Sequence, residues 1–236
     1  VTTDYKIAIE PENEVVRIGK NRSVTYDGSI NAGDFVYKGK DFTFDYKSFS
    51  INMPTLDSIR IQLPPSDSTV NQNNPDNKES LQNHLTETSG ILYLDRPDNR
   101  SGVAKADGYP YFITDSESIV YFDGEEILDG AYDKSVFFIV PPLEVDSIDR
   151  EDASSITFPG TFNSGGIFPV FDDTLHIQAD RSLGFFHNIT EEGYNLYGTD
   201  AKTNEEISLS SRGVRGFGQI GFFDFQTLFR RLYLLS

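Results

Sequence analysis

Three histidines, His84, His176 and His187, are the side chains of this sequence best suited to acid–base or metal chemistry. Their separations match no metal-ligand spacing, and the sequence contains no His-Glu-x-x-His motif, no Gly-x-Ser-x-Gly elbow and no EF-hand loop. The absence of cysteine excludes disulfides, thiolate zinc and a cysteine nucleophile. The histidines are therefore interpreted as surface or hydrogen-bonded residues, and the sequence favours a protein without catalytic residues.

Carboxylates concentrate in predicted turns, where they could bind a cation. Asp115 and Glu117 flank a serine, and Asp123 and Glu125 flank Gly124. Calcium prefers hard oxygen ligands, and a glycine would permit a tight binding loop. These four acidic residues are the predicted Ca²⁺ ligands, and no other cofactor is required. The alternative is that they are solvated turn carboxylates.

Tyrosines at loop edges provide a second candidate site. The residues concerned are Tyr109, Tyr111, Tyr194 and Tyr197. An exposed tyrosine offers an apolar ring face and a polar hydroxyl, a combination that can stack on a sugar ring. These positions are the predicted glycan-binding residues. The alternative is that they pack in the core of a chain that has no tryptophan.

The charge balance restricts the partners. The chain has 37 acidic and 20 basic residues, a formal net charge of −17. Nucleic acids and anionic membranes require a basic surface, so this balance argues against both. Proteins, neutral glycans and divalent cations stay open as partners. No apolar run approaches the ~18 residues that a membrane-spanning helix needs.

The elements that must position these residues are predicted to be short β-strands. Between Gly28 and Leu63, apolar residues alternate with polar ones in groups of two or three, with turns predicted at Lys47–Ser48 and Pro54–Thr55. Such short groups favour an all-β fold in which strands stack as rungs of a β-solenoid. One or two antiparallel β-sandwiches are the alternative architecture.

A short motif occurs twice in this strand-rich sequence. Gly28–Gly33 reads GSINAG, and Gly160–Gly165 reads GTFNSG. The two copies share their glycines and an asparagine, but no residues that would perform a common reaction. Asn31 and Asn163 are therefore predicted to be turn residues, and the motif to be a building element.

Two segments depart from the strand pattern. Residues 64–90 form a polar insertion, in which Leu81 and Leu85 predict a short helix over residues 79–88. Apolar residues at helical spacing over 225–236 predict a C-terminal helix. Residues 1–236 are otherwise expected to form one all-β domain, or a fragment of a larger protein, because the chain opens abruptly on VTTDYKIAIEPE.

The segments GSINAG...FDYKSFSINMPTLDSI and GTFNSGGIFP...SLGF...GYNLYG...ISLSSRGVRGFGQI resemble parts of large β-repeat envelope proteins of Bacteroidetes-type bacteria. The resemblance covers the outer thirds of the chain. It implies a secreted or cell-envelope location and a β-repeat architecture, and it carries no catalytic residues.

Two functions are compatible with this sequence. The first is a non-enzymatic structural or interaction segment of a secreted or envelope protein. The second is a carbohydrate-active module that binds glycans or degrades polysaccharides. Any activity is expected in residues 64–90 and 95–115, because these segments lie outside the resemblance.

Overall fold

A computed structural model describes residues 7–65, 78–100, 106–148, 153–222 and 225–235, and it describes the backbone alone for 217–222 and 225–233. Within the chain, contacts group into two compact units. Unit 1 consists of Val1–Ile119 with Pro141–Ser154, and unit 2 of Val120–Val140 with Ser155–Ser236.

The regular structure of the described residues consists of β-strands and three single-turn 3-10 helices. In chain order the strands are β1 (Ile7–Pro11), β2 (Arg17–Ile18), β3 (Val24–Ala32), β4 (Phe35–Asp45), β5 (Ser50–Leu63), β6 (Glu79–Ser80), β7 (Leu85–Thr86), β8 (Thr88–Tyr93), β9 (Tyr111–Thr114), β10 (Ser118–Tyr121), β11 (Val136–Val140), β12 (Glu144–Val145), β13 (Thr157–Ser164), β14 (Phe171–Ile177), β15 (Leu183–Asn188), β16 (Tyr194–Asn195), β17 (Lys202–Thr203), β18 (Glu206–Ser210), β19 (Gly213–Phe222) and β20 (Phe225–Tyr233). The 3-10 helices are Glu12–Glu14, Leu128–Gly130 and Ala153–Ser155.

Unit 1 is built on an antiparallel sheet in which β3, β4, β5, β8, β9 and β12 pair in that order. Both β1 and β2 pair with β3 on its other side. Alternate residues of the strands point to one buried face, as the strand pleat requires. The fully buried side chains of this face include Tyr26, Ile30, Tyr37, Phe42, Ile51, Met53 and Leu92.

Unit 2 has a similar order of antiparallel pairs. Strands β11, β13, β14, β15, β18, β19 and β20 each pair with the next, and β17 pairs with both β16 and β19. Its buried face is rich in phenylalanine, and the ring of Phe162 contacts the rings of Phe122, Phe171 and Phe185 at centroid distances of 5.0–6.3 Å. The all-β fold class predicted from the sequence is confirmed.

The predicted β-solenoid is not confirmed. Wherever the structure gives the register of a strand pair, the pair is antiparallel, whereas the rungs of a β-helix stack in parallel. Pro54–Thr55, a predicted corner, lies inside the 14-residue strand β5, where the register against β8 shifts between Met53 and Leu56. A proline cannot donate to the ladder and is tolerated at such a bulge, so the strand continues through it. The turn predicted at Lys47–Ser48 is confirmed.

Both helix predictions are wrong. In residues 79–88, Glu79–Ser80 and Leu85 pair with β5, and Thr88 begins β8. Leu81 and Leu85 are buried as the periodicity suggested, but the backbone reaches that burial by pairing with a neighbouring strand. At the C-terminus, residues 225–233 form β20, paired along β19. Spacing alone cannot reveal that an unpaired strand is available as a partner.

The two copies of the repeated motif share a local geometry, one copy in each unit. A Cβ atom at Gly28 would lie 2.3 Å from the carbonyl oxygen of Glu10, and one at Gly160 would lie 2.0 Å from that of Ile139. Each motif therefore begins where a neighbouring strand approaches more closely than a side chain allows. Each ends at a glycine of positive φ, +61° at Gly33 and +67° at Gly165, which begins a turn.

The asparagines of the motif have different roles. Asn163 accepts a hydrogen bond of 3.0 Å from the backbone N–H of Gly165, so its predicted turn role is confirmed. The turn role predicted for Asn31 is wrong, because Asn31 lies within β3 and its side-chain amide donates to Glu10 over 3.0 Å. The two copies share only the geometry of the short motif. A β-repeat architecture for the whole chain stays a prediction.

Candidate functional site

Two of the predicted glycan-binding tyrosines lie together on unit 1. Tyr93 and Tyr111 face each other across β8 and β9, and their rings stack at a centroid distance of 4.5 Å and an angle of 12°. The Tyr109 ring meets the Tyr111 ring edge to face at 4.9 Å. All three are half-buried and lie on the face opposite Leu92 and Phe112, which are buried. We name these three residues the tyrosine row.

The surroundings of Tyr111 keep its hydroxyl protonated. Burial, followed by the neighbouring hydroxyls of Tyr109 and Tyr93 and the carboxylate of Glu144, raises the pKa of Tyr111 to about 12. At neutral pH the Tyr111 phenol is therefore a hydrogen-bond donor. A half-exposed row of phenol rings with a protonated Tyr111 suits binding of a polar ligand better than it suits nucleophilic chemistry.

The turn between β4 and β5 contains Tyr46 and is followed by β5, whose first residue pairs with Tyr93 of the tyrosine row. Asp45 accepts hydrogen bonds from the backbone N–H of Lys47 at 2.9 Å and from the Ser48 hydroxyl at 3.0 Å. The Lys47 N–H first, and then the Ser48 hydroxyl, lower the pKa of Asp45. The side chain of Asp45 thus acts as a turn residue that fixes the backbone around Tyr46.

The loop that follows β8 is held against this turn. The fully buried Asp95 accepts hydrogen bonds from the backbone N–H of Arg96 at 2.7 Å and from the Asn99 amide at 2.8 Å. The backbone N–H of Leu94 donates to the Phe49 carbonyl at 3.0 Å, and an Nη of Arg100 donates to the Lys47 carbonyl at 2.6 Å. These bonds fix the position of Arg100 beside Tyr46.

Two arginines flank the Tyr46 ring. The guanidinium carbons of Arg22 and Arg100 each lie 4.9 Å from its centroid, within the range of a cation–π contact. Arg22 comes from the turn between β2 and β3, where its φ is +60°. Among the described residues, neither arginine has an ion-pair partner. We name Arg22, Tyr46 and Arg100 the Tyr46 cluster.

Sequence reasoning missed the Tyr46 cluster, apart from placing Arg100 in the segment where activity was expected. Its three residues come from three separate turns. They meet because β3 pairs with β4 at Val24 and Phe44, and β5 pairs with β8 at Ser50 and Tyr93. No linear spacing encodes that register.

In unit 2, Tyr194 belongs to a half-buried polar group. Nδ1 of His187 lies 2.8 Å from Oδ2 of Asp173, and Nε2 lies 2.9 Å from the Tyr194 hydroxyl oxygen. Asp173 can hold the tautomer that carries its proton on Nδ1, and the phenol then donates to Nε2. The Phe171 ring stacks on the imidazole at 4.0 Å. The prediction that His187 is hydrogen-bonded is confirmed.

Asp173, His187 and Tyr194 are arranged like residues that activate a hydroxyl for nucleophilic attack, but the pKa of Tyr194 opposes that role. Burial, and then the charge of Asp173, raise the pKa of Tyr194. The phenol therefore holds its proton more strongly than a free tyrosine does, and a nucleophile would need the opposite shift. We interpret the group as structural: its hydrogen bonds hold the end of β15 against β14 and β16.

The fourth predicted tyrosine, Tyr197, makes a different contact. The ring of Tyr197 is half-exposed at 50%, and its hydroxyl donates to the Leu235 carbonyl over 2.9 Å. Tyr109 and Tyr111 belong to unit 1, whereas Tyr194 and Tyr197 belong to unit 2. Glycan binding by these tyrosines stays a prediction.

The predicted calcium ligands are also divided between the units. Asp115 accepts a short hydrogen bond from the Ser89 hydroxyl in unit 1, where Glu117 is exposed. Asp123 and Glu125 are exposed turn residues of unit 2. Over the described part of the chain, no three histidine, aspartate or glutamate side chains group in a way that could hold a metal ion. Calcium binding therefore rests on the sequence alone.

An acidic residue of unit 2 provides a pH-dependent contact. Asp180 accepts hydrogen bonds from Ser182 and Ser211, with hydroxyl distances of 2.6 Å each. Burial would raise the pKa of Asp180, but the bonds from the two serines outweigh it and lower that pKa. The lowered pKa stabilises the folded state above the ordinary aspartate pKa of ~3.9, and this contribution is lost as the pH falls through the lowered value.

Replacing Asp180 with asparagine should therefore make the free energy of unfolding depend less on pH in the acidic range. We expect Asp180→Asn to be less stable than the wild type at neutral pH, with the difference shrinking as the pH falls below ~4. Urea denaturation across that pH range measures the effect. Asp123→Asn, which alters an exposed turn carboxylate, is the matched control and should leave the curve unchanged; equal curves for D180N and the wild type would contradict the prediction.

Within the described residues there is no helix of the length and apolarity that crossing a membrane requires. Comparison of the chain with protein-family models, curated proteins and solved structures gives no match. The fold and its surfaces define an all-β protein of two antiparallel units, and its function must be inferred from those surfaces.

Proposed function

We propose that this chain is a non-enzymatic interaction segment of a secreted or cell-envelope bacterial protein, and that one end of the unit 1 sheet is its binding surface. The observation that carries the proposal is the convergence of three hydrogen-bonded loops on Tyr46. Binding residues on loops that a rigid sheet positions are a common arrangement in proteins.

The construction of this surface supports binding. The loop after β8 is organised around a buried carboxylate, Asp95, and is anchored to the β4–β5 turn by backbone hydrogen bonds. Loops that are fixed before a ligand arrives lose little conformational entropy on binding. The antiparallel pairing throughout unit 1 supports a β-sandwich scaffold, which commonly presents binding loops at its ends.

The tyrosine row favours a glycan as the ligand, which is the second candidate function. The half-exposed rings of Tyr93, Tyr109 and Tyr111 contact one another, and their hydroxyls can form hydrogen bonds with sugar hydroxyls. The outer face of the Tyr93–Tyr111 stack is the surface that a pyranose would contact. The location in the envelope rests on the resemblance to envelope proteins.

A glycan array with neutral and acidic oligosaccharides tests the glycan candidate, followed by calorimetry on the best ligand. We expect Tyr93→Ala to weaken binding about tenfold, because stacking contributes on the order of 1 kcal/mol or more. Phe186→Ala removes an exposed ring of unit 2 and should bind like the wild type. An array without binding would reject the glycan candidate, and release of shorter sugars would overturn the non-enzymatic assignment.

A further inference from the structure

The Tyr46 cluster concentrates positive charge in an acidic protein. The chain carries a net charge of −17, with almost twice as many acidic as basic residues. Even so, no described carboxylate forms an ion pair with Arg22 or Arg100. Arg96, in the same loop as Arg100, does have such a partner in Asp98. Two cations are thus left available where neutralising carboxylates are abundant.

The geometry of the cluster leaves hydrogen-bond donors available. A guanidinium group carries five N–H donors in a planar fork. Arg100 uses one Nη to bond the Lys47 carbonyl, and Arg22 makes no described hydrogen bond. Both side chains can therefore offer N–H pairs to a planar anion, and a carboxylate accepts such a pair in bidentate fashion.

The negative charge of the whole chain does not prevent an anion from binding at this position. At physiological ionic strength the Debye length is about 8 Å, so distant carboxylates are largely screened. The guanidinium carbons of Arg22 and Arg100 each lie 4.9 Å from the centroid of the same ring, so two positive charges are concentrated around Tyr46. The carboxylate next to Tyr46 in the chain, Asp45, accepts hydrogen bonds from two residues of its own turn and forms no described ion pair with either arginine. The two guanidinium groups therefore favour an anionic ligand at this position.

We propose that the Tyr46 cluster binds the carboxylate of a uronic-acid sugar in an acidic glycan. The inference rests on the proposed function, because it assigns a ligand class to the same end of unit 1. A sugar is favoured over an acidic peptide by the adjacent tyrosine row: Ser50, which follows the Tyr46 turn, pairs with Tyr93 in the next strand. A uronate offers a carboxylate for the guanidinium groups and pyranose faces for the tyrosines.

Calorimetry of the full chain with oligogalacturonate, a neutral oligosaccharide of equal length and oligoglutamate tests the inference. We expect oligogalacturonate to bind most tightly, with an affinity that falls as salt is raised. Arg22→Gln and Arg100→Gln should each weaken its binding roughly tenfold or more, because each removes charge-assisted hydrogen bonds. Arg22→Lys keeps the charge but loses the fork, and should recover only part of the affinity.

Lys20→Gln is the matched control, since it removes one exposed cation from the same turn without touching Tyr46. An equal loss in K20Q and R22Q would show general charge attraction and overturn the inference. Equal or tighter binding of oligoglutamate would assign the site to an acidic peptide and would also overturn it. Neutral sugars bound in preference to the uronate would overturn the inference but leave the glycan candidate, whereas a chain that binds none of the three loses both the inference and the glycan candidate. Unchanged melting temperatures establish that the variants are folded.

Discussion

Replacing Gly160 with alanine is expected to destabilise unit 2 by about 3 kcal/mol or more. A Cβ atom at this position would lie 2.0 Å from the carbonyl oxygen of Ile139 and 2.6 Å from the Phe138 ring. Because the first contact is with the backbone of a paired strand, a change of side-chain rotamer cannot relieve it. Strands β11 and β13 would have to separate and weaken their ladder.

Urea denaturation with hydrogen exchange of the β11 and β13 amides measures this loss in unit 2 separately from unit 1. Gly124→Ala is the matched control: its Cβ would meet only the flexible carboxylate end of Glu126, and its φ is not positive. We expect that control to change stability by no more than ~0.5 kcal/mol. An equally small effect at Gly160 would show that close strand approach is not what the glycine of the motif provides.

Removing the hydroxyl of Tyr132 is expected to cost about 2–4 kcal/mol. The buried phenol donates to the Leu234 carbonyl at 2.7 Å and accepts from the Val214 backbone N–H at 2.8 Å. Tyr132→Phe keeps the ring but leaves two buried backbone groups without these partners, and each such group costs about 1–3 kcal/mol. Burial raises the pKa of Tyr132, and the same burial keeps water from replacing the hydrogen bonds that the substitution removes.

Tyr197→Phe is the control for this substitution. Tyr197 donates to the next carbonyl, that of Leu235, but the side chain is 50% exposed, so water can replace the lost bond. We expect a cost below ~1 kcal/mol for Tyr197→Phe, with both variants measured by urea denaturation. Equal costs would mean that burial does not determine the strength of the Tyr132 contacts.

Predictions from the sequence were correct where the local structure depends only on a single strand and the turn next to it. Alternation across Gly28–Leu63 indicated strands, Lys47–Ser48 indicated a turn, and Asn163 was correctly interpreted as a turn residue. These features depend on side-chain alternation and on backbone bonds within a few residues. The all-β fold class follows from the same signals.

The errors arose wherever a distant strand determined the local structure. Residues 79–88 and 225–233 have apolar residues at helical spacing, yet both segments pair with distant strands, the first with β5 and the second with β19. Pro54 indicated a corner, but the long neighbouring strands carry β5 through it as a bulge. The spacing of apolar residues does not distinguish a helix from an irregularly buried strand unless the neighbouring strand is known.

The sequence by itself determined the fold class, the acidic character of the chain and the positions of its two glycine-bounded motifs. Only the tertiary structure decided that the strands pair antiparallel in two units, and that Arg22, Tyr46 and Arg100 meet at one end of unit 1. The physical reason is that alternation reports which face of a strand is buried and carries no information about register. Register between distant strands is set by packing of the whole sheet, and in this protein it determines the candidate site.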